Sequence, residues 1–255
     1  PFLGGRLHQQ IDLYKELPRV DFITNILGFP GHDGILTVAF PLRFRGDIKN
    51  YYETNNAVTL RPDGIYYGQT FVSAEDPTGG VAVLNRGMGG YEIQKGTVKH
   101  ILLRSITNFK GYYCPTAAQA GSHTFQYSLF SYEGRWADSG LVEQAHSFNS
   151  AMRAMATDTH QGSLPSEYSF LSVETGHFEV TALKKAEQGD DFILRGYETQ
   201  GEPETIRLHL KLPLKRAWLA SLLEQPIRPM SLSDGVLEFK CRPFEFVTLR
   251  LAIGE

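Results

Sequence analysis

HTFQYSLF, residues 123–130, alternates between apolar and polar side chains up to Leu129. Phe125, Tyr127 and Leu129 fall on one face, with Thr124, Gln126 and Ser128 on the other. Successive residues of a strand point to opposite sides of its sheet, so a period of two marks a half-buried β-strand. The same pattern recurs at residues 205–212, where Ile206, Leu208, Leu210 and Leu212 oppose Arg207, His209 and Lys211. Near the end, Val247, Leu249, Leu251 and Ile253 alternate with Thr248, Arg250 and Ala252. Further strands are expected at residues 7–13, 20–27, 35–40, 81–84, 98–103, 178–183, 192–196 and 236–241.

Turn chemistry separates these runs. Gly31-His32-Asp33-Gly34, Pro62-Asp63-Gly64, Gly87-Met88-Gly89-Gly90 and Ser233-Asp234-Gly235 supply Asp and Gly where tight turns need them. Helical signals are sparse, the best being a short helix around residues 142–148. Many strands with few helices predict an all-β protein built of sandwiches. The polar segment TDTHQGSLPS at 157–166 reads as the internal boundary. A larger β-domain is therefore expected over residues 1–160 and a smaller one over 161–255.

A chain of 255 residues can bury a sizeable core without staples. The formal charge of −3 offers no nucleic-acid footprint. No apolar run approaches the ~18 residues of a membrane span. Cys114 and Cys241 lie far apart in no metal or redox pattern, which suits free thiols in a reducing, cytoplasmic setting. No Asn-x-Ser/Thr acceptor occurs, in line with that location. The opening Pro1-Phe2-Leu3, without Met, reads as an excised or processed chain.

Tests for chemistry return little. There is no Gly-x-Ser-x-Gly elbow, P-loop, dinucleotide fingerprint or His-Glu-x-x-His. Gly87-Met88-Gly89-Gly90 reads as a hairpin turn rather than a phosphate cradle. Glu143 and His146 stand three apart without further ligands, and His32-Asp33 would point to opposite faces, so no metal site is expected. Asp190-Asp191 and Glu202/Glu204 sit in turns and read as solvated acids. Tyr51-Tyr52 and Tyr66-Tyr67 could stack on sugar rings or pack in the sheets.

Several stretches resemble the C-terminal β-domains of family 38 glycoside hydrolases, the α-mannosidases. They are GVAVLNRGMGGY (80–91), GTVKHILLRS (96–105) and GSHTFQYSL (121–129) in the first part. In the second they are SFLSV (169–173), VTALKKAE (180–187), LRGYE with GEP (194–203) and RPFEFVTLRL (242–251). Their order matches the family. The resemblance implies a galactose-mutarotase-like β-supersandwich followed by a smaller β-sandwich. It implies a parent that cleaves terminal α-linked mannose with retention, through two carboxylates and a zinc ion. Those groups belong to the family's N-terminal barrel, which has no counterpart here, so no catalytic or metal residue is carried over and no cofactor is expected in this chain.

By its place in a strand, Arg104 resembles an arginine that faces the substrate region in some members. The match is to a Leu-Leu-Arg-Ser form, not the His-Arg-Arg form of Golgi and lysosomal relatives, and the alternative is a structural arginine paired with a carboxylate. Tyr91, closing the first matched stretch, is the second expected sugar contact. The expected partners are the parent's own barrel and a mannose-containing glycan, with a homo-oligomer as a further role and neither nucleic acid nor membrane. Two other functions compete: a free-standing carbohydrate-binding module, and a mutarotase-like sugar epimerase needing His100 or His123 beside Glu92.

Overall fold

The alternating segments form the strands of a computed structural model that describes residues 4–150 and 152–254. The chain divides into two units at Met152/Arg153. The polar segment 157–166 lies in the irregular run that follows this division.

The first unit contains β1 (Arg6–Leu13), β2 (Arg19–Phe29), β3 (Gly34–Pro41), β4 (Lys49–Thr54), β5 (Ala57–Arg61), β6 (Gly64–Tyr67) and β7 (Phe71–Asp76). It continues with β8 (Gly79–Asn85), β9 (Gly90–Gln94), β10 (Thr97–Ser105), β11 (Asn108–Phe109), β12 (Tyr112–Tyr113), β13 (Gly121–Glu133) and the helix α1 (Leu141–Asn149). One sheet has seven strands in the order β1-β2-β13-β8-β7-β4-β5; a second has four, β3-β10-β9-β6. All their pairings are antiparallel. The apolar face read at 123–130 becomes the inner face of β13. Phe125 and Tyr127 pack with Ile26 and Phe29 of β2 against Leu102 and Leu103 of β10. Beside them Tyr52, Val72, Ala74 and Val83 meet Tyr91, Ile93 and Val98. The two sheets thus share one interior, a sandwich whose driving force is the apolar area removed from water.

The other face of the central strands is also covered. Leu141, Val142, Ala145 and Phe148 form the buried stripe of α1, which packs on β8 and β13. That explains why Val83 and Leu84, successive residues on opposite faces of β8, are both fully buried. The segment Gly87–Gly90 is not a hairpin turn. It carries the chain from β8 in one sheet to β9 in the other.

The second unit holds β14 (Leu171–Thr175), β15 (Phe178–Lys185), β16 (Phe192–Glu198), β17 (Glu204–Leu210), β18 (Leu214–Ala220), β19 (Pro226–Met230), β20 (Leu232–Ser233), β21 (Val236–Cys241) and β22 (Phe246–Ile253). A four-stranded sheet, β14-β17-β21-β20, faces a five-stranded sheet, β15-β16-β22-β18-β19. Ile206, Leu208, Leu210, Leu237 and Phe239 of the first meet Phe178, Leu194, Val247, Leu249 and Leu251 of the second. Both units are therefore β-sandwiches, and the alternation in the sequence supplies each inner face.

Candidate functional site

β10 ends in Ile101-Leu102-Leu103-Arg104. Under strict alternation from Val98 and His100, both inward, Arg104 would also point into the core. The register shifts between Ile101 and Leu103 along β3, so the ladder holds a β-bulge there. Leu102 and Leu103 both enter the interior, and Arg104 emerges opposite exposed Ile35. A bulge of this kind re-aims the side chains that follow it. Among the described residues the Arg104 side chain has no hydrogen-bond or ion-pair partner, while its backbone pairs with Ile35 in the ladder. Register and burial place Thr37, Ile101, Gly90 and Tyr67 in one outward row of the same sheet, and Ala39, Lys99, Glu92 and Ile65 in the next. Lys99 Nζ and Glu92 Oε2 are 3.0 Å apart across that second row.

Tyr91 does not fit the expectation of a sugar contact. Its side chain is 0% exposed, between the sheets. The ring stacks on His100, with centroids 4.5 Å apart at 13°. Its hydroxyl accepts a hydrogen bond from Asn85 Nδ2 at 2.9 Å. The tyrosines at 51, 52, 66 and 67 divide in the same way. Tyr52 is fully buried against Tyr66 and Tyr51 packs on Trp136, while Tyr67 is exposed.

His100 and Glu92 lie on neighbouring strands but on opposite faces, and His123 belongs to the other sheet, bonded to the Gln119 carbonyl at 2.7 Å. The His–Glu constellation of an epimerase does not assemble from these residues. His100 is buried, with Nε2 2.6 Å from the Met88 carbonyl and Nδ1 without a partner. Burial pushes its pKa down from 6.5 to about 4, against a smaller opposing pull from that carbonyl. The unfolded chain therefore binds a proton that the folded one refuses between these two values. Stability of the first unit should be full above pH 6.5 and fall as pH drops from 6.5 toward 4, by roughly 3 kcal/mol. Urea unfolding at pH 7 and pH 4.5 on wild type and His100→Gln checks this: the variant should lose the component of the acid dependence that lies in this window.

The turn acids have structural partners. Asp190 pairs with Lys185 at 2.9 Å, Asp191 with Arg250 at 2.6 Å, and Glu204 with His177 at 2.7 Å. Asp33 accepts hydrogen bonds from the backbone N–H and the hydroxyl of Thr107, which hold its carboxyl below the usual range. No three His, Cys, Asp or Glu side chains converge on a point among the described residues.

Immediately after Arg104 the chain forms the hairpin β11–β12, whose central residues Lys110 and Gly111 both have positive φ, at 51° and 86°. This is the I′ geometry that matches strand twist. Phe109 and Tyr112 are cross-strand partners and so share a face, at 51% and 76% exposure; Tyr113 is 75% exposed on the other. Asn-Phe-Lys-Gly-Tyr-Tyr lacks the Asn-Gly or Asp-Gly signal, and only its three aromatic residues around a glycine could have exposed it.

The description "Glycosyl hydrolases family 38 C-terminal domain" matches residues 2–109, and "Glycosyl hydrolases family 38 C-terminal beta sandwich domain" matches residues 177–249. Alpha-mannosidase 2C1 of Homo sapiens is 27% identical over 98% of this chain. Alpha-mannosidase G of Dictyostelium discoideum is 26% identical, again over 98%. The chain spans about a quarter of each relative, 25% and 24%. A solved glycosyl hydrolase family 38 protein from Enterococcus faecalis superposes with a TM-score of 0.81 at 25% identity, over 96% of this chain and 29% of its own.

Proposed function

The chain belongs to glycosyl hydrolase family 38, within its C-terminal region, and from that premise we propose that it is the noncatalytic β-sandwich part of a larger, cytoplasmic α-mannosidase. Nearly all of it aligns with one quarter of relatives that carry that name, and this observation carries the reading. In this reading the parent removes terminal α-linked mannose with retention, which needs two carboxylates roughly 5 Å apart across the scissile bond. A barrel outside this chain supplies them, together with the zinc that the family resemblance implies; among the described residues no three His, Cys, Asp or Glu side chains are placed to hold that ion. The outer face of the four-stranded sheet completes the cleft and docks on the barrel. Arg104 then donates to a sugar hydroxyl, a role supported by the bulge that turns it outward.

Two measurements test the reading. The chain alone should leave an activated aryl α-mannoside unhydrolysed above background. In the parent, Arg104→Ala should lower kcat/KM by about 10- to 150-fold, the loss of one charge-assisted hydrogen bond worth ~1.5–3 kcal/mol. Because Arg104 is exposed and unpaired, its removal should change stability by no more than ~0.5 kcal/mol. Turnover by the isolated chain, or unchanged kinetics in the variant, would count against the respective role.

A further inference from the structure

We propose that the β11–β12 hairpin is a saccharide-binding platform, on which Phe109 and Tyr112 stack against the C–H face of a pyranose ring. The proposal rests on the glycosidase reading above and extends it to a second contact. The hairpin is short but firmly rooted. Asp33 clamps Thr107 at its base, the Cys114 N–H donates to the Thr107 carbonyl at 2.7 Å, and the Ile106 N–H donates to the Ala117 carbonyl at 3.1 Å. Its two-residue I′ turn fixes the register, so Phe109 and Tyr112 are held side by side before any ligand arrives. Preorganised rings lose little conformational freedom on binding.

The size of the face favours a sugar over a protein. Exposed at 51% and 76%, the two aromatic side chains offer about 200–300 Å² together. A specific protein interface takes roughly 500 Å² or more from each partner. The third ring, Tyr113, points to the opposite side and adds nothing to this face. The charge is also suited to a neutral polyol rich in acceptor oxygens. Lys110 Nζ lies 5.5 Å from the centroid of the Phe109 ring, and residues 104–113 contain Arg104 and Lys110 but no carboxylate. The four Cα–Cα steps from Arg104 to Asn108 span at most ~14 Å, so the platform stays close to the outward arginine.

The test titrates this chain with α-linked mannobiose and, in parallel, with cellobiose, using saturation-transfer NMR and calorimetry. Wild type should bind mannobiose with a dissociation constant on the order of millimolar. Phe109→Ala/Tyr112→Ala should weaken it by about tenfold or more. Phe109→Leu/Tyr112→Leu, which keeps apolar area without ring faces, should weaken it nearly as much, and Tyr113→Ala should leave it unchanged. All three variants should melt like wild type, since the side chains replaced are exposed. No saturable binding by wild type, or equal binding by either double variant, overturns the platform without touching the mannosidase reading. Binding of cellobiose in preference to mannobiose upholds the platform and counts against the mannoside specificity of that reading.

Discussion

Tyr91→Ala is expected to lower the stability of the first unit by about 3–5 kcal/mol, the usual cost of truncating a buried aromatic ring. The ring is fully buried between the two sheets and touches residues from both. Its removal leaves a cavity beside His100 and takes the acceptor away from Asn85 Nδ2, which then keeps only the Gly68 carbonyl at 3.3 Å. Tyr91→Phe keeps the packing and deletes the hydroxyl alone, so about 1 kcal/mol should go. Trp136 lies in the first unit and Trp218 in the second, and they are the only two tryptophans. Urea unfolding followed through Trp136, with Trp218 replaced by Phe, reads the effect in the right unit. A substrate-contacting Tyr91 would give the reverse result, with stability kept and parent activity lost.

The contrast between Tyr91 and Arg104 shows what the sequence makes legible. Period-two alternation at 123–130, 205–212 and 247–253 picks out the side chains that meet the facing sheet, although Ser128 and Thr248 on the opposite face are also buried. It misleads where both faces are covered. β7 and β8 are buried on both faces: α1 lies on β8, and Tyr132 and Trp136 reach Ser73 and Glu75 of β7, so Phe71–Asp76 shows no clean period and carries no strand signal. A bulge leaves no mark in composition either: Ile101-Leu102-Leu103 is simply an apolar run until the register with β3 shows one residue too many. The orientation of Arg104 follows from that extra residue. Turns built on Lys95-Gly96 and Lys110-Gly111 escape for a similar reason. Lysine at positive φ is uncommon, and the neighbouring strands impose the I′ conformation on it. The family segments were legible because their order along the chain, rather than any single motif, carries the resemblance.

Glu198→Ala should destabilise the second unit by about as much as Tyr91→Ala does the first, for an electrostatic reason rather than a packing one. Glu198 ends β16 with its side chain fully buried. Its carboxylate accepts backbone N–H bonds from Gln200, from Gly201 at 2.9 Å and from Phe244 at 2.8 Å. One side chain thereby ties the β16–β17 loop to the turn between β21 and β22. Phe244 sits at φ 54°, a region that bulky residues avoid, and its N–H is held by this carboxylate. Gly201 lies so close beneath the Phe244 ring that an added Cβ would come within 2.6 Å of it. Removing the acceptor orphans three donors, each costing ~1–3 kcal/mol where water cannot reach, and frees Phe244 to leave its strained conformation. A total of about 3–5 kcal/mol follows after partial rehydration of the loop. Glu198→Gln preserves volume but turns one acceptor into a donor facing another N–H, so it should still cost about 2–3 kcal/mol. Urea unfolding read through Trp218, with Trp136 replaced by Phe, measures both. If the glutamine variant proves as stable as wild type, the N–H cage is not what holds these two loops together, and packing of Phe244 over Gly201 must be doing so instead.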